Sequence, residues 1–251
     1  MADDRGVLIV TGAGRGIGAA VALRAARDGY AVAVNYARSE SAAERVTAAI
    51  VADGGRAKAI QGDVGSETDI LRLFATAECE LGPITALVNN AGITGGFARV
   101  DTITAETIER VLAVNVTGTI LCAREAVKRM STRHGGSGGA IVNLSSMAAK
   151  LGGTGEWVHY AASKGAIDSY TIGLAREVAA EGIRVNAVRP GLIESDIHAE
   201  AGDPDRPNRM APTIPMRRSG TAEEVAEGIV WLLSPAASYV TGAILEIGGG
   251  R

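Results

Sequence analysis

Two side chains in one predicted helix form the pattern that most directly suggests chemistry. Tyr160 and Lys164 are four residues apart, so both project from one face of a helix predicted over residues 159–181. A free tyrosine has a pKa of about 10, roughly three units too high for proton exchange near neutral pH. A neighbouring ammonium lowers that pKa, which would turn Tyr160 into a proton donor and acceptor. The same spacing is common on helix surfaces, so the pair needs support from other motifs.

A glycine-rich loop near the start of the chain predicts an anion site. It lies between a predicted strand and a predicted helix, with the spacing Gly-x-x-x-Gly-x-Gly at Gly12, Gly16 and Gly18. Glycines let a pyrophosphate approach the backbone N–H groups, and the helix N-terminus adds a partial positive charge. The strict Gly-x-Gly-x-x-Gly spacing fails because Ile17 stands at its last position. A tight strand–helix turn without a ligand is the alternative.

The elements that must position these residues alternate along the chain. Short apolar runs and longer amphipathic stretches follow one another, which indicates right-handed βαβ units and a parallel sheet covered by helices on both faces. The segment 192–220 carries four prolines and is the least regular, and a loop of that length is often functional. The predicted strands cover residues 7–11, 31–35, 57–61, 86–89, 140–144, 184–188 and 243–247, and the predicted helices cover 16–28, 41–53, 67–80, 104–115, 118–131, 159–181 and 222–234.

The composition is that of a globular protein and narrows the function classes. The 251 residues are 47% hydrophobic with a formal net charge of −3, which gives no electrostatic support for binding nucleic acid or an anionic membrane. Cys79 and Cys122 are too few for a disulfide framework, so a reduced, cytoplasmic setting is expected. We expect no signal peptide and no transmembrane helix, which would need roughly 18 apolar residues. No metal-ligand spacing occurs, so no metal is expected.

Further motifs fall in one order along the chain: Asp63-Val64, Asn89-Asn90-Ala91-Gly92, Asn115, Tyr160-x-x-x-Lys164 and Pro190-Gly191. With the glycine loop, they make the chain resemble the short-chain dehydrogenase/reductase family over nearly its whole length. The resemblance is to bacterial members near glucose 1-dehydrogenase and the 3-oxoacyl-acyl-carrier-protein reductases.

The resemblance implies an α/β fold and a reaction class. The expected fold is a single doubly wound Rossmann-type domain over residues 1–251, with a seven-stranded parallel sheet, helices on both faces and a substrate lid near 192–220. The expected protein is an oxidoreductase that binds NAD or NADP. It would move a hydride between the nicotinamide and the carbon of a carbonyl or secondary alcohol.

The resemblance also assigns roles to four residues. Tyr160 is the general acid and base, Lys164 bonds the nicotinamide ribose, and Asn115 binds, through its main chain or its side chain, a water that links Lys164 to solvent. Ser146 holds the substrate oxygen, although it lies one residue further from Tyr160 than in the family, which an insertion in the loop 147–159 explains. Ser145 is the alternative catalytic serine, and capping of the helix near 118 is an alternative role for Asn115.

The chain lacks the acidic residue that an NAD enzyme usually carries at the end of its second strand. Arg15 and Arg38, with Asn35 or Ser39, could instead hold a 2′-phosphate by charge-assisted hydrogen bonds. We therefore expect NADP, with NAD possible, unless both arginines are ordinary solvated charges. The expected cofactor-binding residues are Gly12, Gly14, Arg15, Gly16, Ile17, Gly18, Asn35, Tyr36, Arg38, Ser39, Asp63, Val64, Asn89, Ala91, Gly92, Tyr160, Lys164, Pro190, Gly191, Ile193 and Ser195.

The substrate class stays open between sugars or polyols and 3-oxoacyl thioesters. Trp157 could stack on a sugar or be a packed loop residue. A basic run of Lys128, Arg129 and Arg133 could dock an acidic acyl carrier or only complement a helix C-terminus. A dinucleotide-binding sensor without catalysis is a further alternative. The resemblance implies a homotetramer, and small residues on the 159–181 helix would permit the close packing: Ala161, Ala162, Gly165 and Ala166.

Overall fold

Seven parallel strands form the sheet of this protein, for which a computed structural model describes residues 5–194 and 202–251. The spatial order is β3-β2-β1-β4-β5-β6-β7, so the predicted seven-stranded, doubly wound sheet is confirmed. The order reverses between β1 and β4, and at such a point a crevice opens at the carboxyl ends of the strands. The strands are β1 (Val7–Val10), β2 (Ala31–Tyr36), β3 (Ala57–Gln61), β4 (Ile84–Asn89), β5 (Gly139–Leu144), β6 (Ile183–Pro190) and β7 (Ile244–Ile247).

Helices connect the strands on both faces of the sheet. Side chains of Ser66, Thr104 and Thr221 accept a hydrogen bond from the backbone three residues on and so fix three helix starts. In the described part of the chain, no helix is both long and apolar enough to cross a membrane. The helices are α1 (Gly16–Arg27), α2 (Glu40–Ala52), α3 (Glu67–Leu81), α4 (Ala105–Leu112), α5 (Thr119–Met130), α6 (Ala148–Leu151), α7 (Val158–Val178), α8 (Arg206–Met210) and α9 (Ala222–Leu233).

The sheet has an apolar core on each face. Leu8 and Val10 of β1 pack into the core with α1, α2 and α9, whereas Val7 and Ile9 pack into the core with α3, α5 and α7. All four side chains are fully buried. Burial on both faces explains why this strand is continuously apolar in the sequence rather than alternating.

A π-helical segment, Ala113–Gly118, joins α4 to α5. The sequence predicted two separate helices here, and the structure instead continues one into the other with a wider turn, as often occurs at functional sites. Asn115 lies inside this segment, so its alternative role as a helix cap is wrong. A Cβ on Gly118 would lie 2.4 Å from the carbonyl oxygen of Val64, so glycine permits the close approach to the loop after β3.

Candidate active site

The carboxyl ends of the strands surround a cavity of about 1200 Å³. Its walls come from the loops after β1 to β6, which is where doubly wound sheets bind ligands. Ser195 falls outside the described residues. The expected cofactor residues that line the cavity are Gly12, Gly14, Arg15, Gly16, Ile17, Asn35, Tyr36, Arg38, Ser39, Asp63, Val64, Ala91, Gly92, Tyr160, Lys164, Pro190, Gly191 and Ile193.

The glycine loop is held in place by Asn35 at the end of β2. The Asn35 Oδ1 accepts from the Gly12 N–H at 3.2 Å, and its backbone oxygen accepts from Ala13 at 2.8 Å. Its Nδ2 donates to the carbonyls of Ile60 and Gly62. These bonds occupy both ends of the side-chain amide. Asn35 therefore fixes the loop rather than offering a side chain to a 2′-phosphate, which corrects one part of the sequence interpretation.

Two asparagines after β4 differ in a way the sequence did not reveal. Asn89, expected to bind cofactor, is buried away from the cavity, and its Nδ2 donates to Asn143 at 2.9 Å. Asn90 lines the cavity, and its Nδ2 donates to the carbonyls of Thr11 and Gly12. A Cβ on Gly18 would lie 2.5 Å from that Nδ2, so Gly18 serves this packing and does not line the cavity. Asn90 stands directly after Asn89 in the sequence motif, and that position was the signal that could have identified it as a cavity residue.

Positive charge collects at the end of the cavity beside β2 and β3. Arg15 and Arg38 line it as expected, together with Arg110 from α4, which sequence reasoning missed. Arg110 binds Asp63 at 2.7 Å. Burial opposes ionisation of Asp63, but hydrogen bonds from the Gly65 N–H and Arg110 outweigh it and lower the pKa of this carboxyl. Three guanidiniums against one carboxylate suit a phosphorylated ligand.

Tyr160 and Lys164 lie on the cavity wall near the start of α7, and both are buried. The Lys164 Nζ donates to the carbonyl of Leu144 at 2.6 Å and lies 5.8 Å from the centroid of the Tyr160 ring. Ser146 lines the cavity and hydrogen-bonds the Tyr160 phenol. The Ser145 hydroxyl instead donates to the backbone carbonyl of Lys164 at 3.2 Å. The geometry therefore favours Ser146 over Ser145 beside the phenol.

The protonation of this pair differs from the expectation. Burial raises the pKa of Tyr160 above its usual value, and the hydrogen bond with Ser146 offsets only part of this rise. A lowering by Lys164, which the sequence predicted, is not among the causes of the Tyr160 shift. Burial lowers the pKa of Lys164 to about 8, against the opposing charge of Asp168. Burial therefore favours the protonated form of the Tyr160 phenol.

Asn115 connects the loop after β4 to α7. Its Oδ1 accepts from the Ile93 N–H at 2.9 Å, while its Nδ2 donates to the Ile93 carbonyl at 2.9 Å and to the Ser163 hydroxyl at 3.0 Å. A Cβ on Gly92 would lie 3.4 Å from both the Asn115 Oδ1 and the Lys164 Nζ. The loop after β4 therefore passes close to both side chains. The Asn115 side chain is therefore committed to joining this loop to α7.

A cluster at the opposite end of the cavity joins residues whose contacts with one another the sequence did not predict. Trp157 stacks on Phe97 with ring centroids 4.8 Å apart, and Arg206 binds Glu156 through two hydrogen bonds of 2.6 Å. Trp157 is buried, which favours the interpretation as a packed residue over an open platform for a sugar. Contacts between residues about fifty positions apart leave no local pattern in the sequence.

The basic run at the end of α5 is neutralised by carboxylates. Lys128 and Arg129 bind Glu125 at 2.9 Å, and Arg133 binds Glu181 at 3.0 Å. This pairing favours a structural role over docking of an acidic carrier. Within residues 5–194 and 202–251, no group of three or more His, Cys, Asp or Glu side chains could hold a metal ion.

Comparison with known proteins places this geometry in a family. The model described as enoyl-(acyl carrier protein) reductase matches residues 12–251. An uncharacterized oxidoreductase of Escherichia coli, YgfF, is 54% identical over 98% of this chain and 99% of its own length. The 3-oxoacyl-[acyl-carrier-protein] reductase of Synechocystis and glucose 1-dehydrogenase 2 of Bacillus subtilis are each 38% identical, over 97% and 96% of this chain and 96% and 93% of their own lengths.

A solved structure extends the likeness to three dimensions. The short-chain dehydrogenase from Burkholderia cenocepacia in complex with NADP has a TM-score of 0.91 and 32% identity, covering 100% of this chain and 99% of its own. The expected family and Rossmann-type fold are thus confirmed. With these motifs, this sheet and these relatives, the chain belongs to the short-chain dehydrogenase/reductase family of oxidoreductases.

Proposed function

We propose that this protein is an NADP(H)-dependent carbonyl reductase and alcohol dehydrogenase with Tyr160 as its general acid and base. The observation that carries the proposal is the meeting of Tyr160, Ser146 and the buried Lys164 on one wall of the cavity. The glycine loop and the three arginines lie along the same cavity. A dinucleotide along that length would bring its reactive end toward the phenol.

NADP fits the residues that line the cavity. A Cβ on Gly12 would lie 3.1 Å from the Ala91 Cα, so the loop lies tightly against the segment after β4 and leaves its backbone available to a pyrophosphate. Arg15, Arg38 and Ser39 supply charge and a hydroxyl for a 2′-phosphate. The NADP-bound Burkholderia relative supports the same cofactor here. When bound, NADPH supplies the hydride for the carbonyl carbon.

The residues of this chain handle the oxygen and the proton. Ser146 binds the carbonyl oxygen, and the Tyr160 phenol donates its proton to that oxygen as negative charge develops. The Lys164 ammonium would favour the tyrosinate as it forms, and the same side chain would hold the nicotinamide ribose. Asn115 acts through position, because it fixes the loop after β4 against α7. In the oxidative direction Tyr160 removes the proton from the alcohol.

The test is consumption of NADPH and NADH by the purified protein over ketones, diketones, sugars and 3-oxoacyl thioesters. Activity that disappears in Tyr160→Phe while NADPH binding remains supports the chemistry. Equal turnover by Tyr160→Phe would revive the sensor alternative. The 38% identities to a glucose dehydrogenase and an oxoacyl reductase do not separate those substrates. The substrate panel separates them. The packed Trp157 and the basic run neutralised by carboxylates favour small ketones over sugars and over 3-oxoacyl thioesters.

The remaining proposals concern organisation. We propose one domain over residues 1–251 with a substrate lid near 192–220, because Leu192, Ile193, Arg206 and Met210 line the cavity. We also propose a homotetramer, since Ala162, Gly165 and Ala166 leave an uncrowded stretch on α7, and a cytoplasmic location. Light scattering tests the homotetramer, and a monomeric mass of 25.6 kDa would refute it. Cell fractionation tests the location.

A further inference from the structure

An ion pair between a buried arginine and a partly exposed glutamate lines the carbonyl end of the cavity. Arg206 on α8 is only 5% exposed, and each of its terminal nitrogens lies 2.6 Å from one carboxylate oxygen of Glu156. The Arg206 Nε is buried with no hydrogen-bond partner. Burying a guanidinium is costly unless it is paired. Glu156 therefore holds Arg206 in a place that an isolated arginine would avoid.

The same guanidinium joins three separate segments. Its central carbon lies 4.8 Å from the ring centroid of Trp157 and 5.6 Å from that of Phe97. The Ala98 N–H donates to the backbone carbonyl of Glu156 at 2.8 Å, which ties the segment after β4 to the loop before α7. Trp157 in turn lies 5.8 Å from the Tyr160 ring. A continuous row of contacts thus runs from α8 to the proposed proton donor.

Charge balance gives this row its chemical meaning. Glu156, Trp157 and Arg206 all line the cavity beside Tyr160, and in the bidentate pair the Glu156 carboxylate balances the Arg206 charge. We propose that the Arg206–Glu156 pair determines substrate specificity: it admits uncharged carbonyl compounds and disfavours those that carry a carboxylate near the carbonyl. A carboxylate brought against this wall would lose water without gaining a free cation. This inference rests on the proposed carbonyl reductase function.

Two other arginines could contribute positive charge near this wall. Arg209 on the same helix pairs with Asp203 and also feels the charge of Glu156. Arg251 also lines the cavity. The experiment must therefore distinguish the effect of the Arg206–Glu156 pair from the effects of these two arginines.

The test compares a ketone ester with the carboxylate of the same ketone, ethyl acetoacetate against acetoacetate, as the ratio of kcat/KM with NADPH. Glu156→Gln leaves the Arg206 charge uncompensated, so the ester preference falls about tenfold through a lower KM for the acid. Arg206→Met leaves the carboxylate alone, so the ester preference rises. The double variant restores the wild-type ratio, because the wall is neutral again. Arg251→Gln and Arg209→Gln remove cations outside the pair, so each changes the ratio less than Glu156→Gln does.

The proposal is overturned if neither Glu156→Gln nor Arg206→Met changes the ratio, or if Arg251→Gln or Arg209→Gln changes it more than they do. Should neither ketone turn over, equilibrium binding of acetoacetate to the NADP-loaded protein gives the same comparison, and Glu156→Gln must bind it about tenfold tighter than wild type.

A second measurement needs no turnover. The sequence has two tryptophans, so Trp231→Phe leaves Trp157 as the reporter. Acrylamide quenching of Trp157 should rise in Arg206→Met and less in Arg206→Lys, which keeps one charge contact but loses the bidentate geometry. Unchanged quenching in a protein that reduces ketones refutes the closed wall and leaves the proposed function standing. Protected Trp157 in a protein that reduces nothing refutes the function alone.

Discussion

The two ends of the cavity are built from different materials. The dinucleotide end uses backbone N–H groups of the glycine loop, held by Asn35 and Asn90 at the ends of regular strands. The carbonyl end uses side chains from three separate segments, with Phe97, Trp157 and Arg206 in mutual contact. We therefore expect the first end to be more sensitive to changes in backbone packing than to the loss of one side chain. The second end is set by side-chain charge and shape, so it can change substrate without disturbing the cofactor.

The largest effect should come from breaking the backbone end. In Gly18→Ala the new Cβ would lie 2.5 Å from the Asn90 Nδ2 and 2.6 Å from the Gly12 carbonyl oxygen, so the loop must shift. We expect the dissociation constant for NADPH to rise about 100-fold, equivalent to roughly 3 kcal/mol of overpacking strain. Fluorescence titration measures it. Gly173→Ala, where the Cβ meets open space, is the matched control and should bind NADPH normally.

The junction between the two ends should show a pH dependence. The Lys164 pKa of about 8 lies below its usual value, so the ammonium is present below pH 8 and lost above it. We expect kcat for carbonyl reduction to fall about tenfold per pH unit above that point, while Tyr160 stays protonated because burial raises its pKa. Asp168→Asn should move this fall to lower pH, since Asp168 raises the Lys164 pKa. A flat profile up to pH 10 would contradict the assignment.

A smaller effect is expected where side chains contribute to the dinucleotide end. Arg38→Ala removes one guanidinium from the proposed 2′-phosphate site and should lower kcat/KM for NADPH about tenfold, with NADH unaffected. Arg27→Ala, an exposed arginine on α1 that binds Asp53, serves as the control and should change neither value. Equal losses with both cofactors would place Arg38 outside the selection of the phosphate.

The smallest effect is expected outside both ends. Lys128 is half exposed and bound to Glu125, so Lys128→Ala should change activity less than about twofold on thioesters of coenzyme A or of an acyl carrier protein. Steady-state rates on the two thioesters measure it. A loss confined to the carrier-bound substrate would restore the docking interpretation of the basic run.

Much of this protein could be predicted from its sequence. Strand and helix order, the glycine loop and the Tyr160–Lys164 pair depend on local spacing, and each lies where its pattern placed it. The errors concern what a side chain faces. Asn35 and Asn89 fit cofactor motifs, yet both side-chain amides form hydrogen bonds with neighbouring protein groups. A motif specifies the residue type at a position and not the direction of its hydrogen bonds.

The sequence by itself determined the sheet and the cofactor loop, because periodicity and short motifs act over a few residues, and its resemblance to a family implied the reaction class. Only the tertiary structure decided which serine faces the phenol, how burial moves the pKa values of Tyr160 and Lys164, and that Glu156 neutralises Arg206. These features depend on groups that are far apart in the chain and close in space. Desolvation and charge pairing arise from that proximity, and no local pattern records it.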